Sequence, residues 1–270
     1  MSNPLVGGSD KCLAVIVDGH KQIGEKLNTV EGRRELETTF NFCKPGTLED
    51  PKNREQFAGD GVVYFPVQSN DPSCTSSFCN IDKICTFLVD PAVAVSPMQR
   101  LADLASEMSP ACTSVSYDNM MAFWVSPQNP DRSWLYQTCS EWGFYQTCDE
   151  GSKCPYTQGL HSLSVDLDIC DKAFSISPAQ VNQNIENANT RYGGSKNFQA
   201  TRVMFPNGQV DPWKAGGVLV SPPGSVEEPV LMVAGASHHF WTHPSLPTDS
   251  VEVNAARQAI WSQIDNWLAL

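Results

Sequence analysis

The sequence predicts an α/β protein, on three observations. Residues 203–205 and Val230–Val233 are short apolar runs bounded by turn residues, the pattern of strands buried on both faces of a parallel sheet. Apolar residues elsewhere recur at helical spacing, as in Leu13, Ile16, His20, Ile23 and Leu27. Ten cysteines lie between Cys12 and Cys170 and none after it, so the cross-linked region and the strand region are separate stretches of the 270-residue chain. An even, dense set of cysteines in one region points to disulfides and an oxidising compartment.

The elements follow in order. Ser9 or Asp10 can cap a first helix, and a charged helix over 31–42 ends at the stop signal Cys43-Lys44-Pro45-Gly46. His20 falls on the apolar stripe of the first helix and reads as a packed core histidine. Residues 45–80, rich in Pro, Asp, Asn and Ser, read mostly as loop with a short apolar run at 62–66. The stretch 82–88 is too brief to assign between helix and strand. Ser96-Pro97 opens a helix with Leu101, Leu104 and Met108 on one face. Ser177-Pro178 opens another, with Val181, Ile185 and Ala188 inward and Gly193-Gly194 at its end. Val251–Leu268 closes the chain as an amphipathic helix through Val253, Ala256, Ile260, Ile264, Trp267 and Leu268.

Each strand delivers polar groups at its C-terminal end, where open α/β sheets place their chemistry. After the first come Asn207-Gly208, Asp211-Pro212-Trp213 and Gly216-Gly217; after the second come Gly235 and the pair His238-His239. An acid after one strand and a histidine after the next match the second half of an α/β-hydrolase triad, ordered Ser, Asp, His. The carboxylate would accept the imidazole Nδ1–H and fix its tautomer, leaving the other nitrogen to take a serine proton. An Asp-Pro turn and a hydrogen-bonded histidine pair are the plain alternative.

The segments NGQVDPWKAGGV and GASHHFWTHP resemble the serine peptidase family of lysosomal Pro-X carboxypeptidase, dipeptidyl peptidase II and thymus-specific serine protease. That family carries Asn-Gly-x-x-Asp-Pro-Trp-x-x-Gly-Gly-Val, then Gly-Ala-His-His or a close variant. The resemblance implies Asp211 as triad acid and His238 as triad base, with His239 as the fallback because Ser237 is an insertion. It also departs at Phe240-Trp241-Thr242, where many members have Leu-Asp-Leu. A further segment, 132–148, resembles the family's Trp-x-Tyr-Gln-x-Cys-x-Glu. There Trp134, Tyr136, Gln137 and Glu141, together with Trp213, are implied to line the substrate pocket; packing around a disulfide is the alternative. The implied fold is the C-terminal part of an α/β-hydrolase, with a mainly helical, disulfide-bonded cap domain over 1–175 and the hydrolase part over 176–270. Cysteine connectivity is open from sequence, with on the order of a thousand arrangements. The resemblance implies Cys12–Cys85, Cys43–Cys112 and Cys139–Cys170, leaving Cys74–Cys79 and Cys148–Cys154 as local clips.

The nucleophile is missing from this pattern. Gly-x-Ser-x-Gly has only a partial match, Gly7-Gly8-Ser9-Asp10-Lys11, with Lys11 in place of the second glycine and no apolar strand before it. Ser9 is better explained as a helix-capping linker. The N-terminal residues MSNPLVGGSDKCLAV lack the features of a signal peptide, which conflicts with the cysteine content. The expectation is therefore an absent N-terminal half of the same fold, carrying the serine. The function implied is a serine exopeptidase acting at or near proline, in a lysosomal or vacuolar compartment or secreted. Its rival is a truncated, non-catalytic paralogue acting as a binding module, and a third reading is metal binding by His238, His239 and His243. No metal or organic cofactor is implied. A net charge of −12 argues against nucleic acid and anionic membranes, and no segment is long and apolar enough for membrane insertion. The expected partners are a peptide substrate and the missing half, with a homodimer left open.

Overall fold

The computed structural model describes residues 1–94, 96–197, 200–221 and 229–269. The chain forms two compact units, each assembled from non-consecutive segments. A strand-bearing unit gathers Met1–Asp10, Phe65–Thr86 and Thr190–Leu270; a helical unit gathers Lys11–Tyr64 and Phe87–Asn189. Sequence suggests one boundary after residue 175, whereas the chain passes between the units at four points. Residues 68–70 bind the loop after the second strand, and no local pattern announces such a long-range contact.

In the helical unit, α1 (Asp10–Leu27) buries Ile16, His20, Ile23 and Leu27 of the expected stripe, with Cys12 buried beside them and Leu13 only half-buried. Thr29 caps α2 (Val30–Thr39) by accepting from Gly32 N–H at 3.0 Å. Glu37 of α2 is buried, and its carboxylate accepts from the backbone N–H groups of Gly46 and Leu48, each at 2.7 Å. That pair of charge-assisted bonds offsets its desolvation. The expected loop at 45–80 is partly helical instead: α3 (Pro51–Arg54) starts where Asp50 accepts from Lys52 N–H and Pro51 takes the first position. A wide turn over Glu55–Gly59 follows and buries Phe57 and Ala58. The ambiguous 82–88 stretch is helical, within α4 (Ile81–Val89), whose first six residues belong to the strand-bearing unit, and Ile84 and Leu88 are fully buried. In α5 (Pro97–Met108), Leu101 and Leu104 are buried as expected.

The sequence shows no clear helical pattern for α6 (Tyr117–Val125) or α8 (Leu163–Phe174), nor for the short α7 (Arg132–Gln137) between them. Helices α6 and α8 pack on each other through Tyr117, Met121, Val165 and Ile169. Between them, α7 runs into a wide turn at Thr138–Trp142. The Cys139–Cys170 disulfide joins that turn to α8, with Val181 of α9 (Pro178–Tyr192) packed on it. Gly193 and Gly194 end α9 at φ +79° and +57°, a left-handed exit that glycine adopts without strain. Cys43–Cys112, Cys74–Cys79 and Cys148–Cys154 are also bonded, as the resemblance implied. Cys12 and Cys85 are likewise in disulfide linkage.

Two histidines of this unit face opposite environments. His20 is fully buried, and burial pushes its pKa down to about 4. Thr157 Oγ1 donates to the His20 carbonyl at 3.2 Å, so this hydroxyl oxygen is left to accept from His20 Nδ1–H at 3.1 Å. His161 sits between two carboxylates, Asp60 at 2.8 Å from Nδ1 and Asp166 at 3.4 Å from Nε2. Asp166 and then Asp60 hold it charged, raising its pKa to about 10 against the cost of burial. The Asp166 contact is an ion pair without hydrogen-bond alignment, since that oxygen has no hydrogen-bond partner.

The strand-bearing unit holds a two-stranded parallel sheet. β1 (Phe205–Gly208) pairs with β2 (Val230–Val233) in the register Phe205↔Val230 through Gly208↔Val233. The first strand begins later than the apolar run at 203–205, because pairing starts where Phe205 N–H meets the Pro229 carbonyl. Leu231 and Val233 pack on Val253, Ala256 and Ile260 of α10 (Val251–Leu268), with Phe240 and Trp241 completing that core. Among the described residues the other face is only partly covered, where the apolar runs predict burial on both faces: Met232 is 44% exposed, while its register partner Asn207 is buried. The far end of α10 is open, with Trp261 at 66% and Leu268 at 80%, so Leu268 does not take the inward place expected of it.

Candidate active site

β1 and β2 end side by side, so the loops that follow them lie together. The ladder continues past the strands: Gln209 N–H donates to the Val233 carbonyl and Val210 N–H to the Ala236 carbonyl. Asp211 comes next. Its Oδ1 accepts from Trp213 N–H at 2.8 Å, capping a 3-10 turn over Pro212–Gly216. Its Oδ2 stands 2.8 Å from His238 Nδ1. Asn207 braces this loop by donating to the carbonyls of Phe205 and Val218.

The loop after β2 turns at Gly235, where φ is +66°. The inserted Ser237 is buried and donates to the Asn70 carbonyl at 2.9 Å, and His238 N–H donates to the Gln68 carbonyl at 3.0 Å. His239 has a left-handed backbone, φ +37°, which carries its ring to Thr242 rather than to Asp211. His238 is thus the histidine beside the acid, and its ring lies 4.2 Å from that of His239 and 6.0 Å from that of Trp213. The indole Nε1–H of Trp213 donates to Gln68 Oε1 at 2.7 Å. Gln68 carries no sequence signal for this contact; only the fold brings it here.

Asp211, His238 and Trp213 therefore share one site in the strand-bearing unit. The other pocket candidates lie in the helical unit on α7 and the turn after it. Trp134 and Trp142 meet edge to face at 4.7 Å, Tyr136 meets Phe174 at 5.2 Å, and Gln137 and Glu141 are exposed. Trp134 and Tyr136 keep 40% and 49% of their surface, an open display for rings of this size. Ser9 directly precedes α1, and its N–H donates to the Met1 carbonyl at 3.0 Å. Among the described residues, no group of three or more His, Cys, Asp or Glu is placed to hold a metal ion.

The sequence matches the serine carboxypeptidase S28 family over residues 2–260. The chain belongs to that family. S28 is a family of α/β-hydrolase serine peptidases. Thymus-specific serine protease of Mus musculus is 44% identical over 277 residues, covering 97% of this chain and 53% of the relative. The Homo sapiens protein of the same name is 29% identical over 278 residues, covering 98% and 53%. Lysosomal Pro-X carboxypeptidase of Homo sapiens is 23% identical over 255 residues, covering 91% and 49%. This S28 chain thus spans about half the length of these curated relatives. Among its described residues no helix is long and apolar enough to cross a membrane.

Proposed function

We propose that this chain is the acid- and base-bearing part of a serine exopeptidase that cleaves peptides at or near proline. Asp211 is the acid and His238 the base. The observation that carries the reading is the 2.8 Å contact of Asp211 Oδ2 with His238 Nδ1, at the C-terminal ends of adjacent parallel strands. The nucleophile is a serine on the portion of the fold that this sequence does not contain. His238 Nε2 takes the serine proton as the oxygen attacks the scissile carbonyl, then gives it to the departing amine, leaving an acyl-enzyme. Water, deprotonated by the same nitrogen, releases the acid product and restores the serine.

In this reading the helical unit is the cap domain and the strand-bearing unit is the C-terminal hydrolase part. They correspond to 1–175 and 176–270 except for the segments Met1–Asp10 and Phe65–Thr86 and residues 176–189, which hold most of α9. Trp134, Tyr136, Gln137, Glu141 and Trp213 bind the peptide, the rings stacking on an apolar or prolyl side chain. The partly covered sheet face at Met232 and the exposed end of α10 are where the serine-bearing half docks, since a parallel sheet is stable with both faces covered. The bonded cysteines and the relatives named lysosomal Pro-X carboxypeptidase support a lysosomal, vacuolar or secreted location.

The test joins the chain to the N-terminal portion of the Mus musculus relative and applies a fluorophosphonate probe and proline-containing peptides. The joined protein should label on the supplied serine and hydrolyse the peptides, while this chain alone does neither. Labelling of Ser9 in the chain alone would overturn the division of the triad. A folded joined protein that neither labels nor cleaves would favour a non-catalytic binding module.

A further inference from the structure

The acid and base loops are tied together by a residue outside the dyad. Gln209 directly follows β1, and its side-chain Oε1 accepts from Gly235 N–H at 2.9 Å and from Asn3 Nδ2 at 3.2 Å. Gly235 needs that acceptor. It follows β2 at a left-handed turn, φ +66°, and is half-buried, so its N–H is paired by this side chain rather than by a strand partner. Two contacts therefore close a ring through Gln209, Val210, Asp211, His238, Ser237, Ala236 and Gly235. One is Gln209 Oε1 to Gly235 N, and the other is Asp211 Oδ2 to His238 Nδ1. The Val210 N–H bond to the Ala236 carbonyl, 3.1 Å, braces the ring across its middle.

We infer that Gln209 is a positioning residue, whose side-chain oxygen sets the separation of the two loops and so holds His238 at hydrogen-bond distance from Asp211. The inference rests on the proposed roles of those two residues for its catalytic meaning, but its geometry can be tested without activity. A ring closed by two hydrogen bonds and one brace has little freedom. Removing the Gln209 acceptor leaves Gly235 free to rotate its peptide outward, and His238, three residues on, moves with it. Asn3 donates to the same Oε1 but is not a member of the ring, so its loss should leave the ring closed.

The experiment is NMR on the full chain, reading the exchange rate of the Gly235 amide and the low-field Nδ1–H resonance of His238. In the wild type the Gly235 amide should be protected. Gln209→Leu should speed its exchange roughly tenfold or more and broaden the His238 resonance away. Gln209→Glu, which keeps the acceptor, should restore both, and Asn3→Ala should change neither. An unprotected Gly235 amide in the wild type would overturn the inference whatever the variants do. So would a folded Gln209→Leu with an unchanged His238 resonance, or a Gln209→Glu that loses the resonance as Gln209→Leu does. A chain that passes this test and still yields no hydrolase when joined to a serine-bearing half would refute the proposed function and leave the positioning role of Gln209 intact.

Discussion

Asp211 is buried and His238 beside it is open: across their 2.8 Å contact the acid side chain keeps 8% of its surface and the imidazole 35%. This asymmetry suits a dyad in which one partner orients and the other meets a reactant. Asp211 spends one oxygen on Trp213 N–H and the other on His238, so its carboxylate cannot rotate without breaking a backbone cap. In the protein joined to a serine-bearing half, Asp211→Asn should lower kcat by on the order of 10⁴-fold with folding retained. Steady-state kinetics beside a melting curve would check this; a loss under tenfold would remove Asp211 from the role of acid.

His161 gives the helical unit a stability term with a defined pH window. Its pKa rises from 6.5 to about 10 on folding, chiefly through Asp166 and then Asp60. The folded state thus binds the proton more tightly. The stabilisation is complete below pH 6.5 and is lost as pH climbs toward 10. Melting temperatures of wild type and His161→Gln should differ most in acid and converge in alkali. A gap that widens with rising pH would contradict this assignment.

His20 acts in the opposite sense. Its folded pKa is about 4 against 6.5, because burial penalises the charged ring. Here the unfolded chain binds the proton first, so stability falls as pH drops from 6.5 to 4. The size of this effect is up to about 3 kcal/mol for a fully buried ring. His20→Asn, which can still donate to Thr157, should cost stability at neutral pH and show a flatter acid limb. Denaturant titrations at several pH values would read both slopes, and parallel slopes would exclude the mechanism.

The Cys43–Cys112 disulfide spans 69 residues and ties the end of α2 to the segment after α5. On the chain-entropy account, closing a loop of that size is worth about 4 kcal/mol. Replacing both cysteines by serine should lower the denaturant midpoint of the helical unit accordingly. Loss of the five-residue clip Cys74–Cys79 should cost clearly less. Equal costs for the two would mean that strain or residual structure, not loop length, decides.

The partly covered sheet face should make the strand-bearing unit the weaker part of this chain in isolation. Limited proteolysis is expected to cut after about residue 195 first, with dye binding at the Met232 face. Joining a serine-bearing half should protect that region. Resistance of 211–270 equal to that of the helical unit, with nothing added, would mean that two strands and α10 suffice to stabilise it.

Elements whose information is local can be read directly from the amino acids. Leu13 to Leu27 and Val253 to Ile260 announce helices because one face of each must leave water, and Pro97 and Gly193 mark ends that backbone geometry imposes. The parallel strands and their polar C-terminal loops were legible for the same reason, as was the acid–histidine pairing through its motif. The short helices α6 and α8 leave a weak trace because their apolar faces match each other rather than a long regular stripe. Which histidine meets Asp211 is fixed by the fold, because the left-handed backbone of His239 turns its ring toward Thr242. The fold also decides that Gln68, Asn70 and Gln209 brace the two loops and that residues 65–86 join the strand-bearing unit. Those contacts join residues far apart in the chain through single polar atoms. A sequence carries no periodic trace of such bonds, and folding alone brings their partners within reach.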